Sequence, residues 1–141
     1  MARIHRIPPT KSTSERMKKV RRRDTDAERE VARVLRRLRL GRRSQVRRLP
    51  GSPDFVLRDH PVVIFVDGCF WHGCPRCYVA PKRNAAWWAE KIAKNVARDR
   101  RNDRKLRSLG FSVVHVWEHD DPMRVERRIA TTVRRVRARR P

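Results

Sequence analysis

The segment Val62-Val63-Ile64-Phe65-Val66-Asp67-Gly68-Cys69-Phe70-Trp71-His72-Gly73-Cys74-Pro75-Arg76-Cys77 decides how the rest of the 141-residue chain is read. Its first five residues are apolar without alternation, as befits a strand covered on both faces. All three cysteines of the chain then fall within nine residues. Cys74-x-x-Cys77 has zinc-ligand spacing and Cys69 precedes it by five residues; an odd cysteine count with no secretory leader argues against a disulfide framework. A lone cysteine is ordinarily a small buried hydrophobe, but three in a loop with Gly and Pro favour a metal. A tetrahedral site asks for a fourth ligand. His119, just past a second β-rich run from Phe111 to Trp117, is the leading candidate, and His72, three residues after Cys69, competes for the place. If the two runs are neighbouring strands, one zinc ion can bridge their ends.

Downstream of the loop, Asn84 is placed to cap a long helix from about Ala85 to Leu109, with Trp88, Ile92, Val96, Leu106 and Leu109 on its stripe and Gly110 at C′. Between Val96 and Leu106 lie Arg98, Asp99, Arg100, Arg101 and Asp103, so the middle of this helix is poorly buried or faces something polar. A strand entered by such a crossover, Phe111 to Trp117, runs parallel to the first. A last helix, about Asp121 to Arg139, carries Val125, Ile129, Val133 and Val136 on one face.

Upstream, Asp59-His60-Pro61 turns the chain into an antiparallel partner strand, Asp54 to Leu57, and Pro50-Gly51-Ser52-Pro53 separates that from a weak edge strand, Ser44 to Leu49. Thr25-Asp26-Ala27-Glu28 fits a capping box opening a helix with Val31, Val34, Leu35 and Leu38 inward and Gly41 at its end. On spacing alone Glu28 is a capping residue. Residues 1–23 are basic and lack apolar periodicity, and are expected to form an arm that contacts DNA. The expected architecture is one α/β domain, residues 24–141, with a small mixed sheet and helices on both faces.

Lys and Arg number 38 against 15 acidic residues, a net charge of +23. A compositional preference for Arg over Lys does not account for that imbalance, which reads as an electrostatic footprint for a polyanion, most often nucleic acid. No apolar run approaches membrane-spanning length, so a cytoplasmic, nucleoid-associated protein is expected. In an open α/β sheet, sites form beyond the carboxyl ends of the strands. That rule gathers Asp54, Asp67, Cys69, His72, Glu118 and His119 at one edge. Carboxylates that can hold Mg²⁺ beside a histidine that can activate water suit phosphodiester hydrolysis. The plainer alternatives are that Asp54 is a turn residue, Asp67 a strand-end cap and His72 a zinc ligand.

Arg23-Asp24-Thr25, Leu49-Pro50-Gly51-Ser52-Pro53-Asp54, Val63-Ile64-Phe65-Val66, Gly68-Cys69-Phe70-Trp71-His72-Gly73, Glu90-Lys91-Ile92, Asn95-Val96, Arg98-Asp99-Arg100-Arg101, Leu109-Gly110 and Val116-Trp117-Glu118 occur in unbroken order. This pattern, from about Ser14 to Asp121, resembles the very short patch repair (Vsr) endonucleases. The resemblance implies a restriction-endonuclease-like three-layer α/β/α fold, a structural Zn²⁺, and Mg²⁺-dependent nicking of duplex DNA 5′ to the thymine of a T:G mismatch. It implies that Asp54 and the Val66 backbone carbonyl bind Mg²⁺, that His72 activates water with support from Glu28, and that Cys69, Cys74, Cys77 and His119 hold zinc. Phe70, Trp71 and Met17 are the implied wedge beside the mispair, where unstacking is least costly. Val66 stands where the family usually has Thr, and Asp67 where a second histidine is common, which makes Asp67 a candidate extra Mg²⁺ ligand. The zinc loop is one residue longer than the commonest pattern, and His119 replaces a cysteine. A monomer acting on mismatched duplex DNA, with other mismatch-repair proteins as further partners, is the corresponding expectation. Two other readings are a non-catalytic zinc-containing DNA-binding module and a related nuclease with different mismatch or sequence specificity.

Overall fold

The computed structural model describes residues 26–139. The basic arm, Met17 and Thr25 of the capping box lie outside the described residues. Strand β3, Val62–Asp67, is buried at all six positions, as its unbroken apolar run requires. It pairs antiparallel with β2, Phe55–Leu57, through Phe55↔Ile64 and Val56↔Val63. On its other side it pairs parallel with β4, Ser112–Trp117, in register from Val62↔Ser112 to Asp67↔Trp117. The edge strand β1, Arg42–Ser44, is antiparallel to β2, giving the sheet order β1-β2-β3-β4. The expected edge strand at Ser44 to Leu49 is thereby corrected: regular pairing ends at Ser44, Gln45 (φ 52°) distorts the strand while its N–H and that of Val46 still donate to Asp54 O at 2.9 Å and Pro53 O at 3.1 Å, and the chain departs after Val46.

Side-chain alternation divides the core between two faces. Val62, Ile64 and Val66 of β3, with Val114 and Val116 of β4, pack against Val31, Val34 and Leu35 of α1 (residues 26–37) and against Val125, Ile129, Val133 and Val136 of α3, Pro122–Ala138. Val63 and Phe65 face the opposite way, onto Leu106 of α2, Ala85–Ser108. One sheet between two helical layers is the expected three-layer α/β/α arrangement.

Four helix termini differ from expectation or sharpen it. α1 closes with Arg39, not Gly41, in the left-handed region (φ 54°): Arg39 N–H donates to Arg36 O at 3.1 Å and Leu40 N–H to Leu35 O at 3.0 Å. This double closure turns Leu40 back onto the core. Asn84 occupies the N-cap of α2 at φ 57° without a side-chain cap hydrogen bond. At the other end Gly110 (φ 94°) does sit at C′, and Phe111 N–H donates to Leu106 O at 3.0 Å. Leu109, expected on the apolar stripe, is 61% exposed because the helix has ended at Ser108. Asp121 caps α3 by accepting from Met123 N–H at 3.0 Å. Among the described residues no helix is long and apolar enough to cross a membrane.

Candidate active site and metal centre

β3 and β4 end side by side at Asp67 and Trp117, so the loops that follow them share one rim of the sheet. Cys69, Cys74 and Cys77 follow β3 and His119 follows β4; one ligand atom from each lies within 4.8 Å of the others. His119 Nδ1 is 3.2 Å from Cys69 Sγ, 3.8 Å from Cys74 Sγ and 3.3 Å from Cys77 Sγ. Zn–S bonds near 2.3 Å and Zn–N bonds near 2.0 Å at tetrahedral angles put N and S about 3.5 Å apart, so these separations match the edges of a zinc tetrahedron. The donor set fits too: two of the four groups, Cys69 and Cys74, are buried, and burial together with the neighbouring Cys74 and Glu118 charges pushes the Cys69 thiol far up. A divalent cation removes that penalty by binding thiolates. Glu118 Oε1 accepts from Cys69 N–H at 3.3 Å, and Asp120 lies 3.6 Å from His119 Nε2, an outer layer that orients the ligands. His72, the competing fourth ligand, faces away toward α2. The loop can press against that helix because Gly73 (φ 61°) has no Cβ; one there would stand 2.9 Å from Ile92 Cγ2.

Asp54 lies immediately before β2, and the antiparallel pairing carries it to the end of β3. Its Oδ2 accepts from Val66 N–H at 2.7 Å and its Oδ1 from Gln45 Nε2 at 3.2 Å. Burial raises the Asp54 carboxyl above its ordinary range, and the two donors only partly offset it. Glu28 of α1 shares a hydrogen bond with Asp54; burial, the Asp54 charge and that bond all raise Glu28. Two adjoining carboxyls with raised proton affinity, next to backbone oxygens at a strand end, are a hard-oxygen donor set that suits Mg²⁺. Glu28 is thus placed on the Asp54 carboxyl, whereas the carboxylate on His72 is Asp99: His72 Nδ1 donates to Asp99 Oδ2 at 2.6 Å. Burial alone would lower His72, but the Asp99 hydrogen bond and the Asp67 and Asp99 charges outweigh it and raise the imidazole.

Asp67, 6% exposed, points to the α2 face. Its Oδ2 is 2.6 Å from His115 Nδ1 and its Oδ1 is 3.9 Å from His72 Nδ1. His115 Nε2 lies 2.7 Å from Asp103 Oδ2, and the ring stacks on Phe65 with centroids 5.1 Å apart. Asp67, His72, Asp99, Asp103 and His115 line one cleft of about 430 Å³, together with Arg98 and the Gly51-Ser52 turn. The polar middle of α2 therefore faces this cleft. Sequence reasoning overlooked Gln45, Asp99, Asp103 and His115 as site residues. Asp99 and Asp103, one helical turn apart in that polar gap, and a histidine inside the apolar run of β4 were the available signals.

Phe70 and Trp71 sit beside the cysteine loop in an aromatic cluster: Phe70 is 5.2 Å from both Trp71 and Trp88, edge to face. Asn95 Nδ2 donates to Trp71 O at 3.1 Å and pins the loop to α2.

The sequence profile of DNA mismatch endonuclease Vsr matches residues 8–78. The chain is 44% identical over 107 residues to DNA mismatch endonuclease Vsr of Escherichia coli (strain K12), covering 74% of this chain and 68% of that protein. It is 38% identical over 104 residues to the type II nicking enzyme V.XorIIP of Xanthomonas oryzae pv. oryzae, covering 72% and 76%. It is 44% identical over 78 residues to the type II nicking enzyme V.NmeAIP of Neisseria meningitidis serogroup A, covering 54% and 55%. A strand-tip carboxylate, a histidine locked to a helix and a Cys₃His cluster are thus framed by a sequence similar to a DNA mismatch endonuclease and to two type II nicking enzymes, and the chain belongs to the Vsr family of DNA mismatch endonucleases.

Proposed function

We propose that the protein is a Mg²⁺-dependent endonuclease that nicks duplex DNA on the 5′ side of the thymine in a T:G mismatch. The observation that carries this reading is the pairing of Asp54 with the Val66 end of β3, one residue from Asp67 and the His72 cleft. Asp54 and the Val66 carbonyl would hold Mg²⁺, with Glu28 supporting Asp54. When bound there, the ion supplies neutralisation of the negative charge that develops on the attacked phosphate. His72 donates through Nδ1 to Asp99, which leaves Nε2 as the basic nitrogen and aims it to accept a proton from water. With both oxygens of Asp67 directed at histidines, its role is with those rings. Cys69, Cys74, Cys77 and His119 hold Zn²⁺ and keep the His72 loop in place. Phe70 and Trp71, braced by Trp88, enter the base stack beside the mispair, and Met17 of the arm joins them; a mispair costs least to open.

The test is a nicking assay on end-labelled duplexes carrying T:G, other mispairs, or none, with Mg²⁺ or EDTA. Mg²⁺-dependent scission 5′ to the mispaired thymine, absent in Asp54→Ala, is expected. Tight, salt-sensitive binding with no scission of any duplex in any metal would leave a zinc-containing DNA-binding module. Scission of other mispairs in preference to T:G would leave a nuclease of different specificity.

A further inference from the structure

His115 is the one histidine of the cleft whose two ring nitrogens both face carboxylates, Asp67 Oδ2 at 2.6 Å and Asp103 Oδ2 at 2.7 Å. A carboxylate only accepts, so the ring donates from both nitrogens and is an imidazolium. Its pKa, raised to about 9, agrees: burial alone lowers it, but the Asp67 and Asp103 contacts more than reverse that. The ring is fixed on a third side by its stack on Phe65. Held this way, it leaves Asp67 with one oxygen bound and the other turned to His72.

The geometry assigns His115 as a positioning residue for the hydrolytic site: clamped between Asp103 on α2 and Asp67 at the tip of β3, it fixes the Asp67 carboxylate beside His72. The inference rests on the nuclease reading above. Without His115, Asp67 is a buried acid free to rotate toward His72 or Asp54, and either movement disturbs the group that must accept the proton. The charged groups facing this ring are Asp67, from β3, and Asp103, from α2; Asp99, Arg98 and His72 complete the cleft.

Substitutions that each keep one of the two donors separate positioning from structural support. The amide nitrogen of Asn falls near the Nδ1 position, and that of Gln near Nε2. His115→Asn should keep the Asp67 contact and nick T:G duplex within about 3-fold of wild type, whereas His115→Gln should lose kcat by about 10- to 100-fold, the usual loss when an outer partner of a site is removed. KM for duplex should stay within about 3-fold in both, since phosphate contacts elsewhere hold the DNA. Thermal melts accompany each assay, and rates are compared at a temperature where every variant is folded. Equal rates for the Asn and Gln variants, or losses that follow the melting temperature, would overturn the assignment. A wild-type chain that nicks no duplex fails both readings, while active wild type with an equally active His115→Gln fails this one alone.

Discussion

His72 Nδ1 and Asp99 Oδ2 lie 2.6 Å apart, and this hydrogen bond ties the cysteine loop to α2 where β3 ends. One ring is thereby held by two elements that are distant in sequence, and its tautomer is set. Four expectations about the site and its supports follow from such contacts.

Asp99→Asn removes the charge that, against burial, holds the His72 imidazole above its ordinary range. A proton acceptor works only when neutral, so nicking rises with pH through the His72 pKa; lowering that pKa moves the rising limb to lower pH. The maximal rate should fall as well, because a neutral amide holds the ring more weakly than a carboxylate and no longer fixes one tautomer. His72→Ala should cost about 10²–10⁴-fold in kcat, the range for loss of a general base. A pH–rate series on the T:G duplex checks both.

His115 carries a folded-state pKa of about 9 against an ordinary 6.5; burial lowers it and the Asp67 and Asp103 contacts raise it further. A folded-state pKa above the unfolded value means stabilisation that is complete below the unfolded pKa and lost as pH rises through the folded one. The stability gap between wild type and His115→Leu should therefore be largest below about pH 6.5 and shrink toward and past about pH 9. Denaturant titrations across that range measure it.

Asp54 and Glu28 are both raised by burial and share a hydrogen bond, so protons and Mg²⁺ compete for one pair of acids. Mg²⁺ should raise the melting temperature, more at about pH 8 than at about pH 5, by mass action on the folded state. Asp54→Asn should abolish that shift. Differential scanning fluorimetry with and without EDTA reads it directly.

The Cys69, Cys74, Cys77 and His119 cluster should bind about one zinc per chain, with the metal contributing directly to folding. Cys69→Ser should lose metal and stability together, while His119→Cys, which keeps four N/S donors, should retain both. Elemental analysis after dialysis, paired with thermal melts, separates these outcomes.

Much of this molecule is set by short-range pattern. The apolar run Val62 to Val66 determines a fully covered strand, because any one-faced placement would leave valines in water. The long helix between two such runs makes β3 and β4 parallel, and once parallel their ends coincide, which is enough to bring His119 to the cysteines. The hairpin likewise carries Asp54 to the same rim. The edge strand stops being regular after Ser44 because Gln45 adopts a left-handed conformation, a backbone choice that hydropathy does not encode.

What only the tertiary structure decided is which polar groups pair inside the cleft. Asp67 and His115 are 48 residues apart, and their meeting depends on the register Asp67↔Trp117, which makes them diagonal neighbours on the α2 face. Asp99 and Asp103 meet the two histidines only because α2 crosses that face in one rotation and not another. Spacing along a chain specifies which face of its own element a residue shares. The partner across the gap is specified by how the layers pack, and that depends on the shape of the whole core.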